Sequence, residues 1–334
     1  MGHKRQHGEL VSVVLVTGAA GHVGANLVRT LLGSGQPVRV LVHHDRRALG
    51  GLDVETVTGD VEDPDSLCRA FAGADLVYHT AAHISILMSD CDRLVAVNAI
   101  GTHNVVEACL QCGVGRLVHF STVDALDHDR SGKPLDESRP LVHSHRYPPY
   151  ARSKAVADRQ VRRGLARGLD AVILYPSAII GPYDYRMGFP NTGLLAICKG
   201  KLWALIDGGF DWVDVRDVVT GALQAAARAP AGGRYVLSGH WASLRDLAVL
   251  ASEVNGVKVP RLVLPMWVAR LGAPFVAVGS LLVGKRPLYT SAALQPLRGK
   301  HHSSHARATR DLDYQPRPLK ETIADTWRWF ETGK

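Results

Sequence analysis

The 334-residue sequence predicts an α/β fold: a doubly wound parallel sheet with a smaller, interleaved C-terminal lobe. Two observations carry that prediction. Apolar, β-branched runs alternate with amphipathic stretches through the first half, as strands buried on both faces by crossover helices require. Between about 183 and 205 this rhythm gives way to glycine-rich loops with a helix near Leu194 to Lys199, then resumes at "FDWVDVRDVVTGALQAAARA". The two lobes therefore exchange the chain more than once.

The elements follow in order. "VSVVLVTG" reads as the first buried strand, and it ends in "TGAAGHVGANLVRTLLGSG". There Gly18, Gly21 and Gly24 fall at the spacing GxxGxxG, with His22 and Val23 between the last two. An amphipathic helix, Ala25 to Leu32, follows and is closed by Gly33 and Gly35. A glycine turn lets backbone N–H groups approach a pyrophosphate, and the helix N-terminus adds partial positive charge. Strand, turn, helix and a second strand, "PVRVLV", stand in the order that a dinucleotide site needs.

After that second strand an acid would bind the ribose hydroxyls of NAD, whereas bases would accommodate the extra phosphate of NADP. The chain reads "VLVHHDRRAL": His43, His44, Arg46 and Arg47 dominate, and Asp45 comes two residues late. NADP is the preferred cofactor and NAD the alternative. "VETVTGDVEDPDSLCRAFAGADLVYHTAA" repeats the rhythm, with a short strand, Asp60, a helix starting near Pro64 and another strand. Later, Asp217 is expected to introduce a helix after "FDWVD", and "GGRYVLSG" to form the last sheet strand.

With "TGAAGHVG", "GDVED", "VYHTAA", "VNAIGTHNVVEAC", "RLVHFST", "YARSK", "LYPSAIIGP" and "DWVDVRDVV", the sequence resembles the extended short-chain dehydrogenase/reductase superfamily, also called the NAD-dependent epimerase/dehydratase family. The resemblance runs from about Val11 to Phe330. It is strongest with the dihydroflavonol-reductase-like and 3β-hydroxysteroid-dehydrogenase-like branches. It implies a Rossmann-type sheet and a substrate lobe. It also places Asp60 and Val61 by the adenine, and Ala81, Ala82 and His83 along the ribose and pyrophosphate side. Asn98 would support the active-site helix, and Pro176, Ser177 and Ile179 would border the nicotinamide.

Family enzymes use a Ser or Thr, a Tyr and a Lys. In "YARSK", Tyr150 and Lys154 are i and i+4, neighbours on one helix face, and Pro148 and Pro149 suit a helix start. Tyr147 has no lysine at that spacing. A free phenol, with a pKa near ~10, is a poor acid/base at neutral pH, and a nearby ammonium is expected to lower it. Lys154 would also hold the nicotinamide ribose. The resemblance puts Thr122 at the hydroxyl position, with Ser121 the alternative if the register shifts by one; threonine keeps the donor that polarises a carbonyl.

Several functions fall away. The net charge of +8 is scattered, and the runs Arg46-Arg47 and Arg162-Arg163 are too short for a nucleic-acid footprint. Five cysteines make no secreted disulfide framework; Cys109 and Cys112 form a CxxC without a partner pair and read as ordinary thiols of a reducing cytoplasm. His301, His302 and His305 read as an exposed loop, so no metal is expected. The polar N-terminus lacks a signal-peptide pattern. "LVLPMWVARLGAPFVAVGSLLVG", 262 to 284, carries Arg270, two prolines and three glycines and reads as short buried helices rather than a span. Met187, Phe189, Trp203, Trp212 and Trp267 supply apolar surface for the core or a pocket, and Arg186 and Arg216 either bind an acidic group or pair at the surface.

The expected organisation is a flexible N-terminus (1–9), a dinucleotide-binding domain (10–182), a first substrate-lobe segment (183–209), a return to the core (210–241), the rest of the lobe (242–318) and a C-terminal helix (319–334). The expected protein is a cytoplasmic NAD(P)-dependent oxidoreductase. It reduces a largely apolar ketone or aldehyde, or oxidises the matching alcohol, and a homodimer is left open. The alternatives are a nucleotide-sugar epimerase or dehydratase with tightly held NAD, and a non-catalytic dinucleotide-binding regulator.

Overall fold

The computed structural model describes residues 13–85, 87–128, 134–269, 271 and 302–333. Seven parallel strands form the main sheet: β1 (Val14–Thr17), β2 (Val38–Val42), β3 (Glu55–Thr58), β4 (Leu76–His79), β5 (Arg116–Phe120), β6 (Ala171–Pro176) and β10 (Arg234–Leu237). Their spatial order is β10-β6-β5-β4-β1-β2-β3, so the winding reverses at β1. In such a sheet the crevice at the carboxyl ends, where the order reverses, is the natural ligand site. The register aligns Thr17 with His79, and His79 with His119.

The period-2 alternation of each strand divides the core. Val14 and Val16 face one side, against α1 (His22–Gly33) and α7 (Val215–Arg228). Leu15, Val77, Leu117 and Ile173 face the other, against α2 (Pro64–Phe71), α4 (Gly101–Cys112) and α5 (Pro149–Leu165). Both faces are dry, which is why the strands read as continuous apolar runs rather than alternating ones. Helix α2 begins near the expected proline, with Asp63 as its cap accepting from the Asp65 N–H at 3.1 Å. Helix α4 ends on Gly113 at φ 67°, the left-handed closure that glycine permits. A short α3 (Cys91–Leu94) and a π-helical segment (Val95–Ile100) lead directly into α4.

The smaller lobe holds a three-stranded sheet, order β11-β9-β7, made of β7 (Ala178–Ile180), β9 (Gly209–Asp214) and β11 (His240–Ser243). It also holds a parallel pair, β8 (Ala204–Ile206) with β12 (Leu262–Leu264). Helices α6 (Phe189–Cys198), α8 (Leu244–Asn255) and the C-terminal α10 (Leu319–Thr332) close a separate core around Ile180, Trp212, Leu247 and Ile323.

Three details differ from expectation. The "FDWVD" strand joins this small sheet, not the large one, because β9 pairs with β7 and β11. The cap of α7 is Asp214, whose side chain accepts from the Arg216 N–H at 2.7 Å; Asp217 instead receives Arg317. Helix α9 (Ala306–Leu312) lies within the stretch assigned to the small lobe, yet Ala308, Leu312 and Tyr314 pack into the main core. His305 precedes α9 and is partly buried, His302 is exposed, and His301 lies outside the described residues, as do residues 272–284 of the apolar segment. No helix among the described residues is long and apolar enough to cross a membrane, and no group there could hold a metal ion. All five cysteines are free thiols.

Candidate active site

The glycine turn sits at the reversal point. Gly18 has φ 69°, and a Cβ there would lie 2.5 Å from the Ala81 nitrogen at the end of β4. A Cβ on Gly24 would lie 2.3 Å from the Gly18 carbonyl oxygen. Neither position tolerates a side chain, so the first and third glycines are dictated by close backbone approach. Gly21 caps α1, and the first turn of α1 carries no acidic residue to compete with an anionic phosphate. These features fit a pyrophosphate. Val23 packs toward the sheet, while His22 Nε2 and Asn26 Nδ2 both reach the Pro182 carbonyl, at 3.1 and 3.0 Å. That double contact stitches the glycine turn to the smaller lobe. Burial lowers the pKa of His22, with Asp184 opposing, which favours the neutral ring.

At the end of β2, His43 Nε2 lies 3.2 Å from Asp60 Oδ2. Arg47 forks onto Asp45 at 3.0 and 2.9 Å, and Arg186 approaches the same carboxylate at 3.5 Å. This guanidinium contact, chiefly from Arg47, holds Asp45 down at about 2. The late acid is thus already neutralised, and among the described residues Arg46 is left with one neutral contact, Thr58 Oγ1 at 3.1 Å. Val61 is buried against Gly101, and its carbonyl accepts from Asn104.

Asn98 lies in the π-helical segment and is 1% exposed. Its amide accepts from the His83 N–H at 2.8 Å and donates to the His83 carbonyl and to Ser153 Oγ, both at 2.9 Å. The extra residue per turn in a π-bulge re-aims a side chain, and here it ties the Ala81–His83 loop, which includes Ala82, to helix α5. That helix carries Tyr150 and Lys154. Its first turn holds Pro149, where a missing N–H costs little.

Thr122, at the end of β5, accepts from the Asp124 N–H at 3.2 Å and opens a short 3-10 turn, Val123–Ala125. Asp124 lies close enough to Tyr150 for its charge to oppose phenolate formation. Ser121 faces the opposite way, towards buried Asp158. Thr122 and Tyr150 thus share Asp124 as a neighbour, whereas Ser121 lies near Asp158. Tyr147 is engaged elsewhere, by Asp127. Pro176 ends β6; Ser177 donates to Asp211 at 3.1 Å, and Ile179 pairs with Val213 in the small sheet.

The expectation about the tyrosine needs correction. Burial first, and Asp124 second, push its phenol upward rather than downward. Lys154 is 2% exposed and donates to the Phe120 carbonyl at 2.6 Å. Its own pKa falls to about 8 through burial, with Asp158 opposing. The physical reason is that removal from water penalises both charged forms, phenolate and ammonium alike.

Beneath the lysine lies a polar network that the sequence reading did not include. His79 joins Thr17 and Thr102 at 2.8 and 3.0 Å, and its ring is 5.3 Å from that of His119. His119 Nε2 stands 3.7 Å from Asp158 Oδ1, and Tyr175 donates to Asp158 at 2.7 Å. Burial first, then the lysine charge, lowers both histidines, His79 to about 3, so both rings are neutral at physiological pH. A sequence signal did exist. Asp158 is i+4 from Lys154, and each histidine interrupts an apolar strand.

Trp212 is core, its Nε1 donating to the Ala242 carbonyl at 3.0 Å, whereas Trp203, Trp267 and Met187 are exposed. Arg216 is held by Asp214 and Asp325, both at 2.7 Å.

Known proteins are similar to this chain in sequence and architecture. The sterol demethylase protein B of Methylococcus capsulatus is 33% identical over 322 residues, covering 95% of this chain and 97% of that one. A putative dihydroflavonol 4-reductase of Synechocystis is 30% identical over 322 residues, covering 95% and 94%. The crystal structure of gox2253 superposes with a TM-score of 0.84 at 31% identity, covering 96% and 98%. Residues 14–238 match the family described as NAD dependent epimerase/dehydratase. The chain belongs to that family.

Proposed function

We propose that the protein is an NADP-dependent reductase of a largely apolar ketone or aldehyde, able to oxidise the corresponding secondary alcohol in reverse. The observation that supports this reading is that Asp124, whose N–H donates to Thr122 Oγ1 at the carboxyl end of β5, also lies within electrostatic reach of Tyr150. The nicotinamide, when bound, supplies or accepts hydride. Gly18, Gly21 and the N-terminus of α1 would hold its pyrophosphate, and Arg46 its 2′-phosphate.

The chain's own residues do the rest. The Thr122 hydroxyl donates to the substrate carbonyl and fixes its orientation. Tyr150, kept protonated by burial and by Asp124, gives its proton to the carbonyl oxygen as the carbon is reduced. At neutral pH the phenol is therefore in its protonated, donating form. Lys154 places a positive charge below the oxygen that develops negative charge, and would contact the ribose. An aromatic-ring or sterol-like substrate is in keeping with what the two relatives are named for, a dihydroflavonol and a sterol.

Tyr150→Phe is expected to lower NADPH-dependent ketone reduction by about 100-fold or more while dinucleotide binding, followed by fluorescence titration, stays within about twofold. Full activity in that variant would remove Tyr150 from the chemistry. A screen of polycyclic ketones and sugar nucleotides against both dinucleotides, read as net NADPH consumption, tests the substrate class.

A further inference from the structure

The smaller lobe carries a surface that the proposed reaction does not use. Strands β8 and β12 are parallel, with Leu262 opposite Ala204, so their lead-in segments lie at the same edge. Two further contacts join those segments. Asn255 Nδ2 donates to the Cys198 carbonyl at 2.9 Å, and a Cβ on Gly200 would lie 3.2 Å from Val257. This places Lys199, Lys201, Lys258 and Arg261 in one neighbourhood, and all four are exposed. None of them pairs with an acid among the described residues. Glu253, one turn back on α8, is occupied by Lys320 at 2.8 Å.

Amid these cations stand two apolar side chains where solvation would favour polar ones. Trp203 is 77% exposed and Leu262 46% exposed. An indole this open gains nothing from the core of its own chain. It is, however, the side chain best suited to the boundary between water and acyl chains, apolar in body and polar at its N–H. Cations surrounding it match the negative surface potential of anionic lipids.

We propose that this edge is a docking surface for an anionic lipid bilayer. Trp203 and Leu262 enter the headgroup region, and Lys199, Lys201, Lys258 and Arg261 lie over lipid phosphates. A bilayer fits better than a nucleic acid. The exposed aliphatic Leu262 offers nothing to a base or a phosphate, and three of the four cations are lysines, point charges without the planar fork that suits base edges. The surface concerns where the protein resides and does not depend on which reaction it performs.

The test is sedimentation of the full chain with large vesicles of phosphatidylcholine alone, or with about one third phosphatidylglycerol. Partitioning onto the anionic vesicles at about 0.1 M salt, with release at about 0.5 M, is expected. Each cation contributes about fivefold, so Lys201→Gln with Arg261→Gln lowers the partition coefficient about 25-fold. Trp203→Ser lowers it about tenfold, with less dependence on salt. Melting temperatures near that of the wild type would show that these surface variants are folded. Equal binding to neutral vesicles, no binding to either kind, or an unchanged partition coefficient in the double variant would overturn the proposal. So would binding of a single-stranded RNA that the double variant loses while keeping vesicle binding.

Discussion

Burial of ionisable side chains without full pairing is the theme at the scale of single residues. His79 is fully enclosed between Thr17 and Thr102, and its pKa of about 3 means that it folds as a neutral ring. An unfolded chain titrates this histidine near the ordinary imidazole value of 6.5, so between about 6.5 and about 3 the unfolded state holds the extra proton. The stability from this site is therefore complete above 6.5 and is lost as pH falls towards 3; His119 acts in the same direction. Urea midpoints recorded from neutral pH down to about 4 should fall, and His79→Gln should flatten that dependence. A slope equally steep in the variant would place the acid sensitivity elsewhere. The same burial raises the phenol of Tyr150 and brings Lys154 down to about 8, within reach of titration in mildly alkaline solution.

Among the elements, the turn after β2 is where the proposed preference for NADP is tested. The single acid there, Asp45, is consumed by Arg47 and Arg186, and His43 pairs with Asp60. Among the described residues Arg46 contacts only the hydroxyl of Thr58 and can move to a phosphate at little loss. Arg46→Ala should weaken NADPH binding about fivefold to tenfold and leave NADH within about twofold, because one charge-assisted contact to a phosphate contributes about 1 to 1.5 kcal/mol. Equal losses for both dinucleotides would show that Arg46 does not read the 2′-phosphate. The π-helical segment acts at the same scale: by turning Asn98 inward, it couples the loop after β4 to the helix that carries Tyr150.

For the whole molecule, the two lobes are joined by more than covalent linkage. His22 and Asn26 at the start of α1 meet Pro182, and the C-terminal helix α10 returns to α7 through Arg216, which bridges Asp214 and Asp325. Asp214 is fully buried at its side chain and also lies 3.6 Å from Arg317. Arg216→Ala would leave that carboxylate half-compensated, and a loss of about 1 to 3 kcal/mol is expected, since the arginine itself is partly solvated. Chemical denaturation measures this directly; an unchanged midpoint would mean that Arg317 alone satisfies Asp214.

The sequence by itself determined the parallel sheet, the glycine turn, the YxxxK helix and the family, because each depends on local periodicity or on short spacing along the chain. Helix α2 began at its proline and α4 stopped at its glycine for the same reason. Only the tertiary structure decided what depends on distant segments meeting. Strand β9 carries the same apolar pattern whichever sheet it joins, so its pairing with β7 and β11 was not legible. Nor was the move of the α7 cap from Asp217 to Asp214, which rests on Arg317 claiming the later acid. The network of His79, His119, Asp158 and Tyr175 exists because three strands and a helix align four residues spread over 97 positions. Likewise the proton affinities of the Tyr150 phenol and the Lys154 ammonium follow dehydration, which no sequence interval encodes.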